Sequence, residues 1–255
     1  MSDGSVNGTV FCSTGRGLVM GKADIHIHTT ASDGLLDPRD VVEYVATETD
    51  LNVIAITDHD TLAGAHKAWQ WLQAHPQFPL QLLWGVEMTG AWFKHLLFYW
   101  PDRPPARLPR RLTAPERLMR ELRETGALCV AAHPANPFSM AGPDLRSLVM
   151  QGLSPDGLEA CNPAAGRRPE KRLRKLAHEL GLAVTGGSDT HGVLATIGAA
   201  YTSFPGSTRE DFIRALLTGT TDAGWSPPIR IPIATIARQI VQAWFVRPGL
   251  LQRTR

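Results

Sequence analysis

Residues 23–34 read ADIHIHTTASDG, with His26 and His28 at alternate positions and Asp24 before them. In a strand, residues two apart share a face, so Asp24, His26 and His28 are expected to project together. Three polar side chains on one face of an apolar strand need either water or a positively charged partner. Further residues of the same chemistry fall where other apolar runs end: Asp58 and His59 in TDHD, Glu87 in GVE, His133 in AHP, Asp189 and His191 in GSDTH. His95 opens the run HLLFYW. Imidazole nitrogens and carboxylate oxygens suit zinc, manganese and iron, and the absence of cysteine at these ends argues against a purely structural zinc. One tetrahedral ion cannot use so many ligands. A cluster of about two or three ions, bridged by a carboxylate and a water or hydroxide, would use them all, supplying hydroxide near neutral pH and neutralising charge on a phosphoryl group.

The elements that must position these residues alternate along the chain. Strand candidates are 22–28, 51–57, 81–87, 95–100, 127–133, 157–162, 182–188 and 199–204, and helix candidates are 38–49, 61–75, 114–125, 143–151, 168–180 and 208–218. Asp37 before Pro38 reads as a helix N-cap, and Gly126 and Gly181 as helix stops. Alternating βα units predict a mainly parallel sheet with right-handed crossovers, open or closed into a barrel. In a parallel barrel the C-terminal ends of the strands carry the chemistry, where the candidate ligands fall. His95 begins its strand instead of ending it, which predicts an antiparallel strand or a shifted boundary there.

Composition narrows the class. The chain has 255 residues, 43% of them hydrophobic, enough for one large core, and a net charge of +2 that does not demand nucleic acid. Cys12, Cys129 and Cys161 are odd in number and far apart, which suits a reducing cytoplasm. No apolar run is long enough for a membrane span, and the N-terminus lacks the pattern of a signal peptide. Its Gly and Ser content suggests a loose arm over residues 1–21, ahead of a domain over 22–222. Beyond Ala223 there is arginine and no acid. Ile233, Ile236, Ala237, Ile240, Val241 and Trp244 fall at helical spacing there, a stripe for packing across the barrel, for a dimer contact, or for a basic amphipathic helix meeting anionic lipid or RNA.

The ordered motifs DIHIHTTASDG, TDHDT, GVEM, HLLFYW, AHP and GGSDTHG resemble those of the polymerase and histidinol phosphatase (PHP) family, from about residue 22 to about residue 218. The resemblance implies a distorted (β/α)7 TIM-like barrel, an α/β fold, with the metal site at the C-terminal ends of the strands and phosphoesterase activity. It implies His26, His28, Glu87 and Asp189 around a first ion, Glu87, His95 and His133 around a second, and Asp33, His59 and His191 around a third. Asp33 next to Gly34 could alternatively serve only a turn. Asp24 and Asp58 would orient neighbouring imidazoles. Within the family the chain looks closest to the small phosphatase branch acting on nucleotides with 3′ and 5′ phosphates and on short RNA 5′ ends.

Two features depart from that branch. The span between His95 and His133 is short and rich in Pro and Arg (PDRPPARLPRRL), without the expected helical insertion, and no basic residue follows AHP closely. The missing charge is expected from NPAAGRRPEKRLRK, where Asn162, Arg167 and Arg168 would begin a loop at the same mouth. Arginine suits phosphate because its planar fork donates two bonds to two oxygens. Glu87, Asp189, His191 and one of the two arginines are thus the expected catalytic set. Trp92, between Glu87 and His95, is either a packing residue or a surface for stacking a base.

A phosphodiesterase or exonuclease on short RNA or DNA would use the same ions. An amidohydrolase also opens with HxH, but its single late Asp does not match the paired Asp189 and His191. A non-catalytic binding domain would be expected to have lost ligands.

Overall fold

The computed structural model describes residues 19–135 and 144–227, together with residues 234 and 241. The N-terminal arm through residue 18, most of the C-terminal stripe, Cys12 and the residues following Ala135 lie outside the described residues. Every strand and helix expected from the sequence is present. Strands are β1 (Met20–Ile27), β2 (Val53–Ile56), β3 (Gln81–Thr89), β4 (His95–Trp100), β5 (Leu128–Ala131), β6 (Gly157–Cys161), β7 (Ala183–Gly186) and β8 (Ala200–Pro205). Helices are α1 (Pro38–Glu48), α2 (Ala63–Ala74), α3 (Pro115–Arg123), α4 (Leu145–Met150), α5 (Glu170–Leu180) and α6 (Arg209–Thr218). A further strand, β9 (Asp222–Trp225), lies beyond those read from the sequence; it is too short to show a period and gains its ladder from β8.

The strand order is β7-β6-β5-β4-β3-β2-β1-β8-β9. Pairs β1–β2, β2–β3, β5–β6 and β6–β7 are parallel, whereas β4 opposes both neighbours and β8 opposes β1 and β9. The expectation of a mainly parallel sheet is therefore corrected to an even mixture. The odd placement of His95 is explained: β3 and β4 form an antiparallel hairpin, so the start of β4 lies beside the end of β3, with Thr89 opposite His95. The sheet curls until β7 meets β8. There Thr202 stitches the seam, its hydroxyl accepting from Gly186 N at 2.9 Å and donating to Gly186 O at 2.8 Å. A Cβ on Gly186 would lie 2.6 Å from Tyr201 O, so only glycine permits this approach. The result is a nearly closed, distorted TIM-like α/β barrel.

Two cores follow from strand alternation. One lines the barrel: Ala23, Ile25, Val53, Ala55, Leu83, Leu97, Tyr99 and Val130, closed at one end by Phe204, Phe212 and Leu216. The other packs the outer face against helices, including Ile54, Ile56, Trp84, Phe98, Val41, Val45 and Leu118. Helix starts follow their caps: Asp37 accepts from Arg39 N before Pro38, and Thr208 with Asp211 forms a capping box on α6. Gly181 stops α5 in the left-handed conformation.

Candidate metal centre

The polar end of the barrel begins with an irregularity in β1. Its register against β2 shifts between Asp24 and Ile27, and Ile25 packs in the barrel whereas Ile27 packs in the outer core. Such a bulge re-aims side chains beside it. His26 and His28 consequently share one site, their Nε2 atoms 3.1 Å apart, but Asp24 does not join them. Asp24 accepts from the amides of His26 (3.3 Å), Ser188 (3.0 Å) and Gly198 (2.7 Å). It anchors the loop after β7 that carries Asp189 and His191. Asp58 similarly accepts from Thr29 N (2.7 Å), Thr29 Oγ1 (2.7 Å) and Ser32 Oγ (2.6 Å), fixing the turn that presents Asp33. The expected imidazole-orienting role of both acids gives way to anchoring of main chain and hydroxyls, because each carboxylate meets closer donors there.

Glu87, 1% exposed, sits at the middle. Its Oε2 lies 3.2 Å from His26 Nε2, 3.0 Å from His28 Nε2 and 3.4 Å from His59 Nδ1, and its Oε1 lies 3.0 Å from His95 Nδ1 and 3.1 Å from His133 Nε2. Asp189 Oδ1 lies 3.4 Å from both His26 and His28. Asp33 lies 3.7 Å from His28, 3.7 Å from His59 and 3.5 Å from His191. His133 and Asp189 both adopt positive φ, 25° and 52°, turning their side chains off the strand directions. All nine expected ligand residues come together, in overlapping groups: His26, His28 and Asp189; His26, Glu87 and His133; His59, Glu87 and His95; His28, Asp33, His59 and His191. Relative to the expected sets, His59 also stands with Glu87 and His95, and His28 reaches Asp33.

Glu159 was not foreseen. It is fully buried in β6, inside the barrel, with Oε1 3.0 Å from His26 Nδ1 and Oε2 accepting from His133 N (2.8 Å) and Asn162 Nδ2 (3.0 Å). A Cβ on the neighbouring Gly187 would lie 2.5 Å from Glu159 Oε1 and from His26 Cβ, so glycine there makes room for the pair. The signal was a lone acid inside the apolar run GLEACN. Because Nδ1–H of His26 donates to Glu159, the Nε2 lone pair faces the centre. His191 is set likewise: Nδ1 bonds to Asp189 O at 2.8 Å, leaving Nε2 toward Asp33.

The electrostatics describe a cluster that calls for positive charge. Burial disfavours the imidazolium of His28, yet hydrogen bonds to Asp189 and Glu87 hold its pKa up to about 10. Burial works against His26 too, but Glu159, Asp189 and Glu87 keep it well above the ordinary value. Burial likewise opposes the charges of Glu87 and Asp189, and the surrounding imidazoles still hold both well below the carboxylate range. His59 goes the other way, to about 3, because burial and the neighbouring His28 and His95 outweigh its acids. In addition, Nδ1 of His28 and of His133 are buried without a hydrogen-bond partner, and Nδ1 of His95 meets Glu87 Oε1 at 3.0 Å without hydrogen-bond geometry. Donors of the right chemistry, gathered around a shared carboxylate with lone pairs unsatisfied, fit divalent ions.

Two expected results follow. Glu159→Ala removes the acceptor that fixes the His26 tautomer, and metal affinity is expected to fall about 10- to 100-fold, read by competition with a chromophoric chelator. An unchanged affinity would remove Glu159 from the site. In the metal-free protein, His28 binds its proton more tightly folded than unfolded. The stability this adds is complete below 6.5 and is lost as pH rises toward about 10. A divalent ion competes with that proton, so affinity is expected to rise about tenfold per pH unit between roughly pH 6.5 and 8. A flat profile across that range would contradict it.

The basic residues expected at the mouth, Arg167 and Arg168, are both exposed. The Arg167 guanidinium is 4.7 Å from the ring centroid of Trp225 and donates to Ser226 O at 3.4 Å, and Arg168 is exposed. Asn162 is buried, with Nδ2 on Glu159 and Oδ1 accepting from Ala164 N at 2.8 Å, so it shapes the loop.

Residues 168–221 match the family model described as PHP-associated. Over 72 residues the chain is 43% identical to a 5′-3′ exoribonuclease, Rnm, of Salmonella typhimurium, covering 28% of this chain and 24% of that protein. Over 76 residues it is 33% identical to a 3′,5′-nucleoside bisphosphate phosphatase of Chromobacterium violaceum, covering 30% of this chain and 25% of that protein. The matched stretches thus span about a quarter of these relatives. In structure, the chain resembles a two-domain protein of Bacteroides vulgatus described as containing a PHP-like metal-dependent phosphoesterase, with TM-score 0.68, 18% identity, and coverage of 89% of this chain and 71% of that one. In its fold, and in the sequence of residues 168–221, the chain is PHP-like.

Proposed function

We propose that the chain is a metal-dependent phosphoesterase that removes a phosphate monoester from a nucleotide, a nucleoside 3′,5′-bisphosphate or a similar small phosphorylated compound. The observation that carries this is Glu87, buried, with five imidazoles around its carboxylate and Asp189 and Asp33 on either side. His26, His28, Asp33, His59, Glu87, His95, His133, Asp189 and His191 would hold about two to three divalent ions, manganese, iron or zinc. Bound there, such ions supply Lewis-acid neutralisation of phosphoryl charge and a nucleophile at neutral pH. Glu159 and the Asp189 carbonyl fix the His26 and His191 tautomers, and Asp24 and Asp58 hold the two loops in register. Below the site, the buried barrel-lining side chains Leu97, Tyr99 and Val130 would exclude water from beneath it. Among the described residues no helix is long and apolar enough to cross a membrane.

Hydrolysis of short RNA from its 5′ end is the second reading, favoured by the exoribonuclease relative. One experiment separates the two: metal content by plasma mass spectrometry, with turnover of p-nitrophenyl phosphate, adenosine 3′,5′-bisphosphate and a 5′-phosphorylated RNA oligomer. Release of inorganic phosphate from the bisphosphate supports the phosphatase, and stepwise mononucleotide release supports the exonuclease. Less than one ion per chain after reloading, with no turnover, would overturn both.

A further inference from the structure

The Pro- and Arg-rich segment after β4 returns to the metal centre. Leu112 N donates to Thr89 O at 2.6 Å and Ala91 N donates to Thr113 O at 2.9 Å, so residues 111–113 lie along the tip of the β3–β4 hairpin. That tip borders the candidate ligands directly. Thr89 Oγ1 is 3.4 Å from His59 Nδ1, its amide donates to Asp60 Oδ1 at 2.8 Å, and His95 is its partner across the ladder.

Two features of this rim bear on what it could hold. Trp92, Phe93 and Leu112 are 74%, 52% and 48% exposed, an apolar patch beside a strongly polar site. Arg111 has its Nε buried without a hydrogen-bond partner, 3.7 Å from Asp60 Oδ2, which is also without one. The Arg111 side chain is 30% exposed and stands against Asp60, the residue after His59. Arg167, in contrast, is occupied by Trp225 and Ser226.

We propose that this rim is the substrate-holding face, with Arg111 binding a substrate phosphate and Trp92 stacking on the base of a nucleotide whose ester lies over Glu87. The proposal rests on the phosphoesterase reading and gives it a substrate class. A guanidinium donates two parallel bonds to phosphate, and an indole offers a flat face to any base. Arg111 and Trp92 each adjoin a residue of the bonded pairs Leu112–Thr89 and Ala91–Thr113, so a single ligand would reach both from the metal centre. The patch would otherwise suit a second protein, which has no need of an arginine beside Asp60 and the turn that carries His59.

The test is calorimetric binding to metal-loaded wild type, Trp92→Ala, Arg111→Gln and Arg111→Lys, with adenosine 3′,5′-bisphosphate and with ribose 5-phosphate, which keeps a phosphate and lacks a base. Trp92→Ala is expected to weaken the bisphosphate about tenfold and to leave ribose 5-phosphate roughly unchanged. Arg111→Gln is expected to weaken both about tenfold or more, with Arg111→Lys recovering part of the loss, at unaltered metal content. Wild-type affinities in Trp92→Ala and Arg111→Gln would overturn the rim while leaving the phosphoesterase standing. So would a Trp92→Ala effect confined to oligomeric state, seen by sedimentation. If metal-loaded wild type binds neither compound and hydrolyses no phosphate ester, the phosphoesterase reading falls and the rim with it.

Discussion

A Glu87→Gln protein is expected to lose turnover by about 10³-fold and to retain at least one ion fewer than wild type. The reason is the number of positive or cation-seeking groups that share this carboxylate. His26, His28 and His59 face Oε2, and His95 and His133 face Oε1, all within 3.4 Å. A carboxylate offers two acceptor oxygens with four lone-pair sites, and it can bridge two cations. Glutamine keeps one oxygen and replaces the other with an NH₂, which has no lone pair for a cation. Metal-based stabilisation of phosphoryl charge amounts to several kcal/mol, and about 1.4 kcal/mol is tenfold in rate, which sets the expected size. Single-turnover kinetics with metal analysis on the same sample checks it. Turnover within about tenfold of wild type at full metal content would show that Glu87 is not shared between ions.

Asp24→Ala is expected to cost about 3 kcal/mol or more of folding stability, since each of three buried amide donors left unpaired costs roughly 1–3 kcal/mol. Those donors belong to His26, Ser188 and Gly198, so the change frees β1 from the loop carrying Asp189 and His191. For a chain of this size the melting temperature should fall by roughly 10 °C. Metal content should fall with it, because Asp189 and His191 lose their anchor. Burial raises the Asp24 carboxyl to about 6, against the lowering effect of its hydrogen bonds to Ser188, Gly198 and His26. Ionisation is therefore less favourable in the folded chain than in the unfolded one, and the variant should be compared with wild type near pH 7, where Asp24 is ionised in both. Asp24→Asn retains one acceptor and should lose less. A melting temperature unchanged in Asp24→Ala would refute the anchoring role.

Most of the nine candidate ligands were legible as histidines and acids in short motifs where strands end, whereas the full set, Asp33 included, was what the resemblance to the PHP family implied. HxH on β1, TDH after β2, GVE in β3 and SDTH after β7 needed no long-range information beyond the repetition of βα units. Strand and helix positions followed from apolar period and from caps such as Asp37 and Gly181. Glu159 escaped because nothing local distinguishes an acid in GLEACN from an edge residue; its partner, His26, is far away in the chain. Nor does anything local to its loop announce that Arg167 stacks on Trp225 of the unforeseen strand β9.

The sequence by itself determined the alternation of elements, the ligand types and the strand ends that would carry them, since these depend on periodicity and residue chemistry within a few positions. Only the tertiary structure decided which groups share Glu87, that Asp24 and Asp58 grip main chain, that β4 and β8 run antiparallel, and that Arg111 stands against Asp60. Those outcomes depend on barrel closure, on the bulge in β1 and on the positive φ of His133 and Asp189. Each brings together side chains distant in sequence at distances that no local pattern encodes.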